Sequence, residues 1–338
     1  MIKVTFKNVD QGDSIILEWI NDDGKRKIAI IDCNLLPGNR NPVLDYIQSI
    51  KIPEIEFLIL SHPHLDHYAG FCDILEYCEQ NKIPVNWFLH TSMQVPEFLQ
   101  TSAKSAYANN ELAKLFIKIR KLLKSEGIRN HGYVTDNVRE IRLNNYIRLK
   151  FLSPSPHECD NFVKNVPLFH EEDGHNNPNS NWLSTVIKIY SEKWFILLTS
   201  DVDKSVLLRI GTKHSVELTS ELLLGQSPHH GARGNHRNSF WKTGITNRKK
   251  KTPIVFSVGD NPYGHPSYEA VDFFRTHDYA IFATNQMGSL NTIDAKDVHE
   301  ISVLLDFVSK PLSMKVPNKF LNGDKVFVIK DNKLEFIE

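Results

Sequence analysis

One short segment of the chain concentrates side chains that bind metal ions. Residues 61–67, SHPHLDH, contain three histidines and one aspartate. Imidazole and carboxylate groups are the usual protein ligands of zinc, manganese and iron. A lone histidine is more often a core or surface residue, but four such side chains this close together favour a metal site. The segment therefore predicts metal-dependent chemistry at His62, His64, Asp66 and His67.

Other polar groups follow apolar, strand-like segments. Asp201 ends KWFILLTSD, the pair His229 and His230 follows ELLLGQS, and His265 follows PIVFSVGDN. A carboxylate at a strand end can bridge two cations with its two oxygens. Each signal alone fits a bystander as well as a ligand. Because all of them follow strands, as the SHPHLDH segment follows EFLIL, we expect them to converge at one edge of the fold.

The elements that must position these residues follow from the spacing of apolar residues. The opening segments IKVTF to IILEW and KRKIAIIDC predict a β-hairpin, and YIRLKFLSP, TVIKIYS and KWFILLTSD predict a second sheet. Apolar positions from Leu112 to Leu123 recur at helical spacing. Residues 157–181 have no periodicity and are expected to form a long loop. Two halves, each of sheet followed by helices, are compatible with a four-layer α/β arrangement.

Composition excludes several classes of protein. The chain has 338 residues with 41% hydrophobic and 24% charged side chains, which is typical of a globular protein. It has no apolar stretch of about 20 residues for a membrane span and no secretory signal, so a cytoplasmic location is expected. Forty basic and forty acidic residues cancel, so any polyanion must meet a local patch. The four cysteines lack a CxxC pair and are expected to be reduced thiols.

Taken in order, these motifs resemble the metallo-β-lactamase superfamily. More closely, they resemble the hydrolase domain of the ComEC family of DNA-uptake proteins and its stand-alone relatives. The resemblance rests on VDQGDSIIL with IIDCN after it, SHPHLDHYAG, Asn-x-x-Ser at residues 181–184, LLTSD, PHHG and SVGDNPYGHP. It implies an α/β fold, the four-layer αββα metallo-β-lactamase sandwich, over residues 1–310. Residues 311–338 would then form a C-terminal β-hairpin extension packed on that domain.

The resemblance also implies a two-metal site. His62 and His64 would hold one divalent ion, and Asp66 and His67 the second, with Asp201 bridging the two. A histidine of the PHHG motif would complete the second site, and similarity to the superfamily favours His230 over His229. Because histidine and aspartate serve both metals, zinc and manganese remain open.

Asn181 differs from the residue usual in the superfamily, and Asp32 is expected to support the ligands from behind. The first site normally gains a third histidine just before the strand that ends in the bridging aspartate, but this chain has Asn181 there. That site would then be weaker, or use His175 or water. Asp32 would orient the ligand loop through hydrogen bonds. Gln11 and Asp13 match a family motif, although a turn explains Asp13 about as well.

The expected chemistry is hydrolysis of a phosphodiester. Two cations about 3.5 to 4 Å apart can activate water and neutralise developing charge on phosphorus. Asp66 or Asp201 would accept the proton, and His265 would contact a phosphate oxygen or protonate the leaving oxygen. Tyr263 is a further candidate neighbour of the substrate.

A basic segment suggests the substrate. Residues 222–259 contain no aspartate or glutamate, whereas residues 233–251 carry seven lysines and arginines, beginning with Arg233. Such a segment fits a DNA backbone, although it fits a solvated loop equally well. The first hypothesis is therefore a metal-dependent nuclease acting on DNA, and an ATPase or effector protein as a partner is compatible with it.

Two other functions stay open. One is a small-molecule phosphodiesterase or ester hydrolase acting on a cyclic nucleotide or phosphocholine-type group. The other is a weakly active subunit of a multi-protein complex, because Asn181 replaces a ligand. β-Lactam hydrolysis is disfavoured, since in the superfamily that activity belongs to secreted proteins.

Overall fold

The computed structural model describes residues 1–92, 96–102, 105–167, 178–292 and 319–337. Its strands are β1 (Ile2–Phe6), β2 (Ser14–Ile20), β3 (Arg26–Cys33), β4 (Ile55–Leu60), β5 (Val85–His90), β6 (Ile128–Tyr133), β7 (Ile141–Arg142), β8 (Arg148–Ser153), β9 (Val186–Tyr190), β10 (Trp194–Leu198), β11 (Glu221–Gln226), β12 (Thr252–Phe256), β13 (Tyr279–Ala283), β14 (Lys325–Lys330) and β15 (Lys333–Phe336). Its helices are α1 (Pro42–Ile50), α2 (Leu65–Tyr68), α3 (Phe71–Gln80), α4 (Pro96–Ser102), α5 (Ala106–Lys124), α6 (Pro156–Lys164), α7 (Lys204–Lys213) and α8 (Tyr268–Thr276).

The described strands form two mixed sheets. The first has the order β15-β14-β1-β2-β3-β4-β5-β6, and the second has the order β13-β12-β11-β10-β9-β8-β7. Strands β3 to β6 run parallel, as do β10 to β13, while β1, β2 and β3 pair antiparallel. The hairpin of β2 and β3 and the second sheet were both predicted, and both predictions are confirmed.

The main core lies between the two sheets. In β2, alternate residues Ile15, Leu17 and Trp19 face this core, where they meet Ile187 and Ile196 of the second sheet. Alternate side chains of a strand point to opposite faces, so the residues between them face outward. Both faces of these strands are buried, which explains why the sequence reads as nearly continuous apolar runs.

Helices cover the outer face of each sheet. Leu112 and Phe116 of α5 pack in one outer cluster with Phe88 of β5, and Phe274 of α8 packs in the other with Phe256 of β12. The layers are therefore helix, sheet, sheet and helix. The predicted α/β four-layer sandwich is confirmed.

The expected loop over residues 157–181 is partly wrong, because its beginning is helical. Ser155 caps α6: its side chain accepts a hydrogen bond from the Glu158 N–H, and the Glu158 carboxylate accepts one from the Ser155 N–H. Pro156 occupies the first turn, where proline is tolerated. In this nine-residue helix only Cys159 and Phe162 are buried, too few to show a period in the sequence. Residues 168–177 lie outside the described part of the chain.

The C-terminal hairpin joins the first sheet. Strand β14 pairs antiparallel with β1, from Ile2 opposite Ile329 to Phe6 opposite Lys325, and β15 forms the sheet edge. The predicted division at residues 310 and 311 lies outside the described residues, so it stays a prediction. Within the described residues, no helix is long and apolar enough to cross a membrane. All four cysteines are free thiols.

The carboxyl ends of several strands meet where the two sheets adjoin. Strands β3, β4, β10, β11 and β12 lead into the segments that contain Asp32, the SHPHLDH segment, Asp201, the PHHG motif and residues 257–265. The loop between β1 and β2 reaches the same edge, where Gly12 has a φ of +136°. A Cβ atom on Gly12 would lie 2.4 Å from the carbonyl oxygen of Asp66. Glycine at this position therefore allows the loop to pack directly on the ligand segment.

Candidate metal centre

Four side chains form a group with the dimensions of a tetrahedral metal site. His230 Nε2 lies 3.5 Å from Asp66 Oδ2 and 3.4 Å from Asp201 Oδ1, and His67 Nε2 lies 3.8 Å and 3.5 Å from the same two oxygens. Ligands about 2.0 to 2.1 Å from a tetrahedral zinc ion are about 3.3 Å apart. His67 Nε2, His230 Nε2 and Asp201 Oδ1 are buried without a hydrogen-bond partner. This donor set fits a divalent cation, and we call it the second site.

A second group shares Asp201. It consists of His62, His64 and Asp201, with His62 Nε2 at 2.9 Å from His64 Nδ1 and at 3.7 Å from Asp201 Oδ2. We call this group the first site. Asp201 thus directs Oδ1 to the second site and Oδ2 to the first. The structure therefore places His62, His64 and Asp201 in one group, and Asp66, His67, Asp201 and His230 in the other.

Asp32 holds the ligand segment from behind. Its Oδ1 accepts a hydrogen bond from the Ser61 N–H at 2.7 Å, and its Oδ2 accepts one from the Ser61 hydroxyl at 2.6 Å. The same Oδ2 lies 2.7 Å from His67 Nδ1. A proton on Nδ1 leaves the Nε2 lone pair directed at the second site, which is how carboxylates orient metal-binding histidines. This placement agrees with the role expected for Asp32.

His230 is oriented by the backbone. Its Nδ1–H donates to the Ser257 carbonyl at 2.7 Å, so Nε2 faces the second site. The turn that contains it is unusual, because His229 and His230 have φ values of 47° and 55° and Gly231 follows at 85°. Left-handed conformations are uncommon for residues other than glycine and cluster at functional sites.

The charges of the centre shift its pKa values strongly. Burial lowers the pKa of His62 well below its usual value, and the charge of His67 acts in the same direction. Burial also opposes protonation of His67, but the carboxylates of Asp201 and Asp32 raise its pKa well above the usual value. Burial is likewise outweighed at His230, where Asp201 contributes most to raising the pKa to about 9. The clustered carboxylates therefore stabilise positive charge, which protons or metal ions can supply.

Some residues that support the centre were not singled out from the sequence. Asp13 is buried beside His67, with its Oδ2 at 3.9 Å from His67 Nδ1, and that oxygen accepts a hydrogen bond from Gln226 Nε2 at 2.9 Å. Burial raises the pKa of Asp13. The Ser200 hydroxyl donates to Ser61 Oγ at 2.7 Å. Asp13 belongs to the VDQGDS motif of the resemblance. The sequence therefore pointed to this residue, but a turn explained the aspartate equally well.

A cavity of about 840 Å³ opens onto both sites. Asp66, Asp201 and His230 lie on its wall, and Arg233 and Tyr263 also line it. Asp66 has a side chain that is 34% exposed, whereas Asp201 is 2% exposed. Of the two carboxylates that the candidate sites contain, Asp66 is therefore the more exposed to the cavity.

His265 lines the same cavity and is fixed by a neighbouring amide. The His265 N–H donates to Asn261 Oδ1 at 2.9 Å, and Asn261 Nδ2 donates to the His265 carbonyl at 3.0 Å. Its ring stacks on Tyr263 and has its centroid 5.6 Å from that of His229. His265 and Tyr263 therefore lie on the cavity wall beside the candidate metal ligands.

The basic segment is divided between the two ends of the second sheet. Arg233 is 78% exposed at the cavity and pairs with Glu269. Arg248 instead stacks on Tyr279 at 3.8 Å and, with residues 249–251, precedes β12. The centre lies beyond the other end of β12, and five strand residues span roughly 17 Å. The chain must return to the opposite end of the sheet to begin a parallel strand, which separates Arg248 and residues 249–251 from the candidate metal centre.

Asn181 and His229 contact each other at the side of the first site. Asn181 is 5% exposed, and its Nδ2 lies 3.0 Å from His229 Nδ1. His229 Nε2 lies 3.4 Å from Asp201 Oδ2. His175, the alternative ligand for this site, falls outside the described residues. The structure thus places both histidines of the PHHG motif beside Asp201, but against different oxygens.

Comparison with known proteins yields limited similarities. No family model matches the chain. A curated relative, hydroxyacylglutathione hydrolase from Vibrio parahaemolyticus, is 32% identical over 57 residues, which cover 17% of this chain and 21% of the relative. This chain therefore spans about a fifth of the curated relative that it matches.

Several solved structures are also similar to the chain. The metallo-beta-lactamase fold protein YhfI from Bacillus subtilis is 9% identical, with a TM-score of 0.44 over 84% of this chain and 95% of that protein. Zinc-bound PqqB from Methylobacterium extorquens is 10% identical, with a TM-score of 0.42 over 84% and 98% of the two chains. A diphosphatase from the PhnP family is 11% identical, with a TM-score of 0.38 over 75% and 85%. Similarities at this level carry no residue role over to this chain.

Proposed function

We propose that this chain is a metal-dependent hydrolase of the metallo-β-lactamase superfamily that cleaves phosphodiester bonds of DNA. The observation that carries the proposal is the pair of ligand groups that share Asp201 at the wall of one cavity. The order of the sequence motifs, which resembles the ComEC hydrolase domain, supports the choice of a DNA substrate.

Divalent ions bound at the two sites would lower the pKa of water and offset the charge that develops on a phosphoryl group. The chain's own residues would arrange the rest of the reaction. Asp66 is exposed to the cavity and is placed to accept a proton from the attacking water. His265, fixed by Asn261, is placed to donate a proton to the leaving oxygen.

Arg233 and Tyr263 would bind the substrate beside the scissile bond. Arg233 is exposed at the cavity, and its guanidinium group can contact a phosphate. Tyr263 is 66% exposed and stacked on His265, so its ring offers a face to a nucleobase. A protein partner such as an ATPase or effector subunit remains compatible with this proposal.

The direct test is cleavage of end-labelled single- and double-stranded DNA with manganese, zinc or magnesium. We expect metal-dependent cleavage by the wild-type protein and none by Asp201→Ala. His157→Ala is the matched control, because this histidine is exposed on α6 and belongs neither to the two ligand groups nor to the cavity wall. Cleavage that persists in Asp201→Ala would overturn the proposal.

A small-molecule phosphodiesterase is the second candidate. The cavity volume of about 840 Å³ falls in the range of small-ligand sites, and the separation of residues 248–251 from the centre favours a short substrate. Hydrolysis of bis(p-nitrophenyl) phosphate or a cyclic nucleotide, together with no cleavage of DNA, would support this candidate. Binding of two metal ions without turnover of any of these substrates would favour the subunit role.

A further inference from the structure

The two histidines of the PHHG motif face different oxygens of one carboxylate. His230 Nε2 lies 3.4 Å from Asp201 Oδ1, the oxygen of the second site. His229 Nε2 lies 3.4 Å from Asp201 Oδ2, and His62 Nε2 lies 3.7 Å from that same oxygen. The His229 distance matches the ligand spacing measured within the second site. His229 Nε2 therefore adjoins the first site at Asp201 Oδ2, next to the group formed by His62, His64 and Asp201.

The backbone of the turn explains how adjacent residues serve separate sites. Both histidines adopt left-handed φ values. Their ring planes are inclined by 85° to each other, and the ring centroids are 5.8 Å apart. The His229 N–H donates to the Ser200 carbonyl at 2.9 Å, which ties the turn to the segment that carries Asp201. This turn therefore directs the two rings at different oxygens of Asp201.

The neighbouring amide can set the tautomer that metal binding requires. To bind through Nε2, His229 must carry its proton on Nδ1 and donate it to an acceptor. Asn181 contacts Nδ1 at 3.0 Å, and its Oδ1 is buried without a hydrogen-bond partner. The two ends of an asparagine amide exchange positions by a simple rotation. With Oδ1 turned toward Nδ1, Asn181 accepts a hydrogen bond from the Nδ1–H of His229, and the unprotonated Nε2 faces Asp201.

We propose that His229 Nε2 is a ligand of the first metal ion, joining His62, His64 and Asp201, and that Asn181 is its positioning residue. Asn181 stands where the superfamily has a histidine. It would then orient a ligand that lies in the turn after β11. This inference rests on the two-metal centre of the proposed function but not on any substrate.

The test counts metal ions and measures their affinities without any turnover. Cobalt would be titrated into metal-free protein, with bound ions counted by elemental analysis and coordination followed by visible absorption. We expect two ions in the wild type. In His229→Asn we expect one ion bound with unchanged affinity and the other weakened at least about tenfold. Asparagine tolerates the left-handed conformation, so this variant keeps the turn.

Two further variants test the role of Asn181. Asn181→Asp keeps an acceptor for the His229 proton and is expected to retain two ions, whereas Asn181→Leu is expected to weaken one ion about tenfold or more. His157→Ala should behave as the wild type. Thermal melting of each metal-free variant separates loss of a ligand from loss of the fold.

The outcomes distinguish this inference from the proposed function. Two ions bound by folded His229→Asn with wild-type affinities would overturn the inference and leave the proposed function standing. Equal affinities in Asn181→Asp and Asn181→Leu would remove the positioning role. A wild-type protein that binds no metal would overturn the proposed function itself.

Discussion

Asp32 lies 2.7 Å behind His67 and determines the direction in which this imidazole can bind. The carboxylate accepts a hydrogen bond from the Nδ1–H, so Nε2 faces Asp66 and Asp201. Asp32 itself is 1% exposed and has a φ of 57°, so the backbone at the end of β3 adopts an uncommon conformation at this residue. The second site therefore depends on a residue that touches no metal.

Asp32→Asn should weaken metal binding without removing a ligand. The amide has the same size, but its NH₂ group can donate to Nδ1 and thereby place the proton on Nε2, which blocks binding. We expect one ion to bind about 10- to 100-fold more weakly. Competition with a chromophoric chelator measures this change. Asp45→Asn, at an exposed carboxylate on α1, is the control, and equal affinities in the two variants would exclude an orienting role for Asp32.

Gly12→Ala should destabilise the fold at the centre. The added Cβ would lie 2.4 Å from the Asp66 carbonyl oxygen and 2.6 Å from Asn34 Nδ2, in a backbone conformation that alanine rarely adopts. Gly24→Ala is the matched control, since Gly24 also has a positive φ, of +75°, but has nothing within 4 Å. We expect Gly12→Ala to lower the free energy of unfolding by about 2 kcal/mol more than Gly24→Ala. Urea denaturation of both variants measures the difference, and similar losses would show that the close contact is unimportant.

His236 should make the protein less stable in acid. Burial against Phe273 and Phe274 lowers its pKa to about 4. Between pH 6.5 and pH 4, His236 is protonated in the unfolded chain but neutral in the folded chain. Its contribution to the free energy of unfolding is therefore fully present above about pH 6.5 and is lost as the pH falls toward 4. Between pH 7 and pH 5, the wild type should lose about 2 kcal/mol more than His236→Leu. Denaturation at both pH values tests this, and parallel losses in the two proteins would contradict it.

Charge reversal at the two parts of the basic segment should have different effects on DNA cleavage. Arg233→Glu removes a cation at the cavity and should reduce cleavage of short and long DNA alike. Reversal of Arg248, Lys249, Lys250 and Lys251 should affect only DNA long enough to reach the opposite sheet edge, roughly 17 Å away. Rates on oligonucleotides of increasing length, at two salt concentrations, separate these effects. Equal losses on the shortest substrate would show that both groups contact the scissile region.

The candidate ligands of both sites could be singled out from the sequence because each follows a strand directly. The SHPHLDH segment follows a strongly apolar strand, and Asp201 and the PHHG motif do the same. Parallel strands have their carboxyl ends at the same end of a sheet, so residues that follow those strands lie close together. The apolar runs likewise indicated two buried sheets, since both faces of each sheet are covered.

The tertiary structure alone decided which atoms meet. Asp13 and Gln226 are hydrogen-bonded although they are 213 positions apart in sequence, and Asn181, in the turn before β9, contacts His229 in the turn after β11. Neither contact leaves a period in the sequence, because each depends on how the two sheets pack. The same holds for the basic segment, which is continuous in sequence but divided in space by the crossover to β12. Residue types and strand ends therefore determined the chemistry of the centre, whereas backbone angles and sheet packing decided which oxygen of Asp201 each histidine faces.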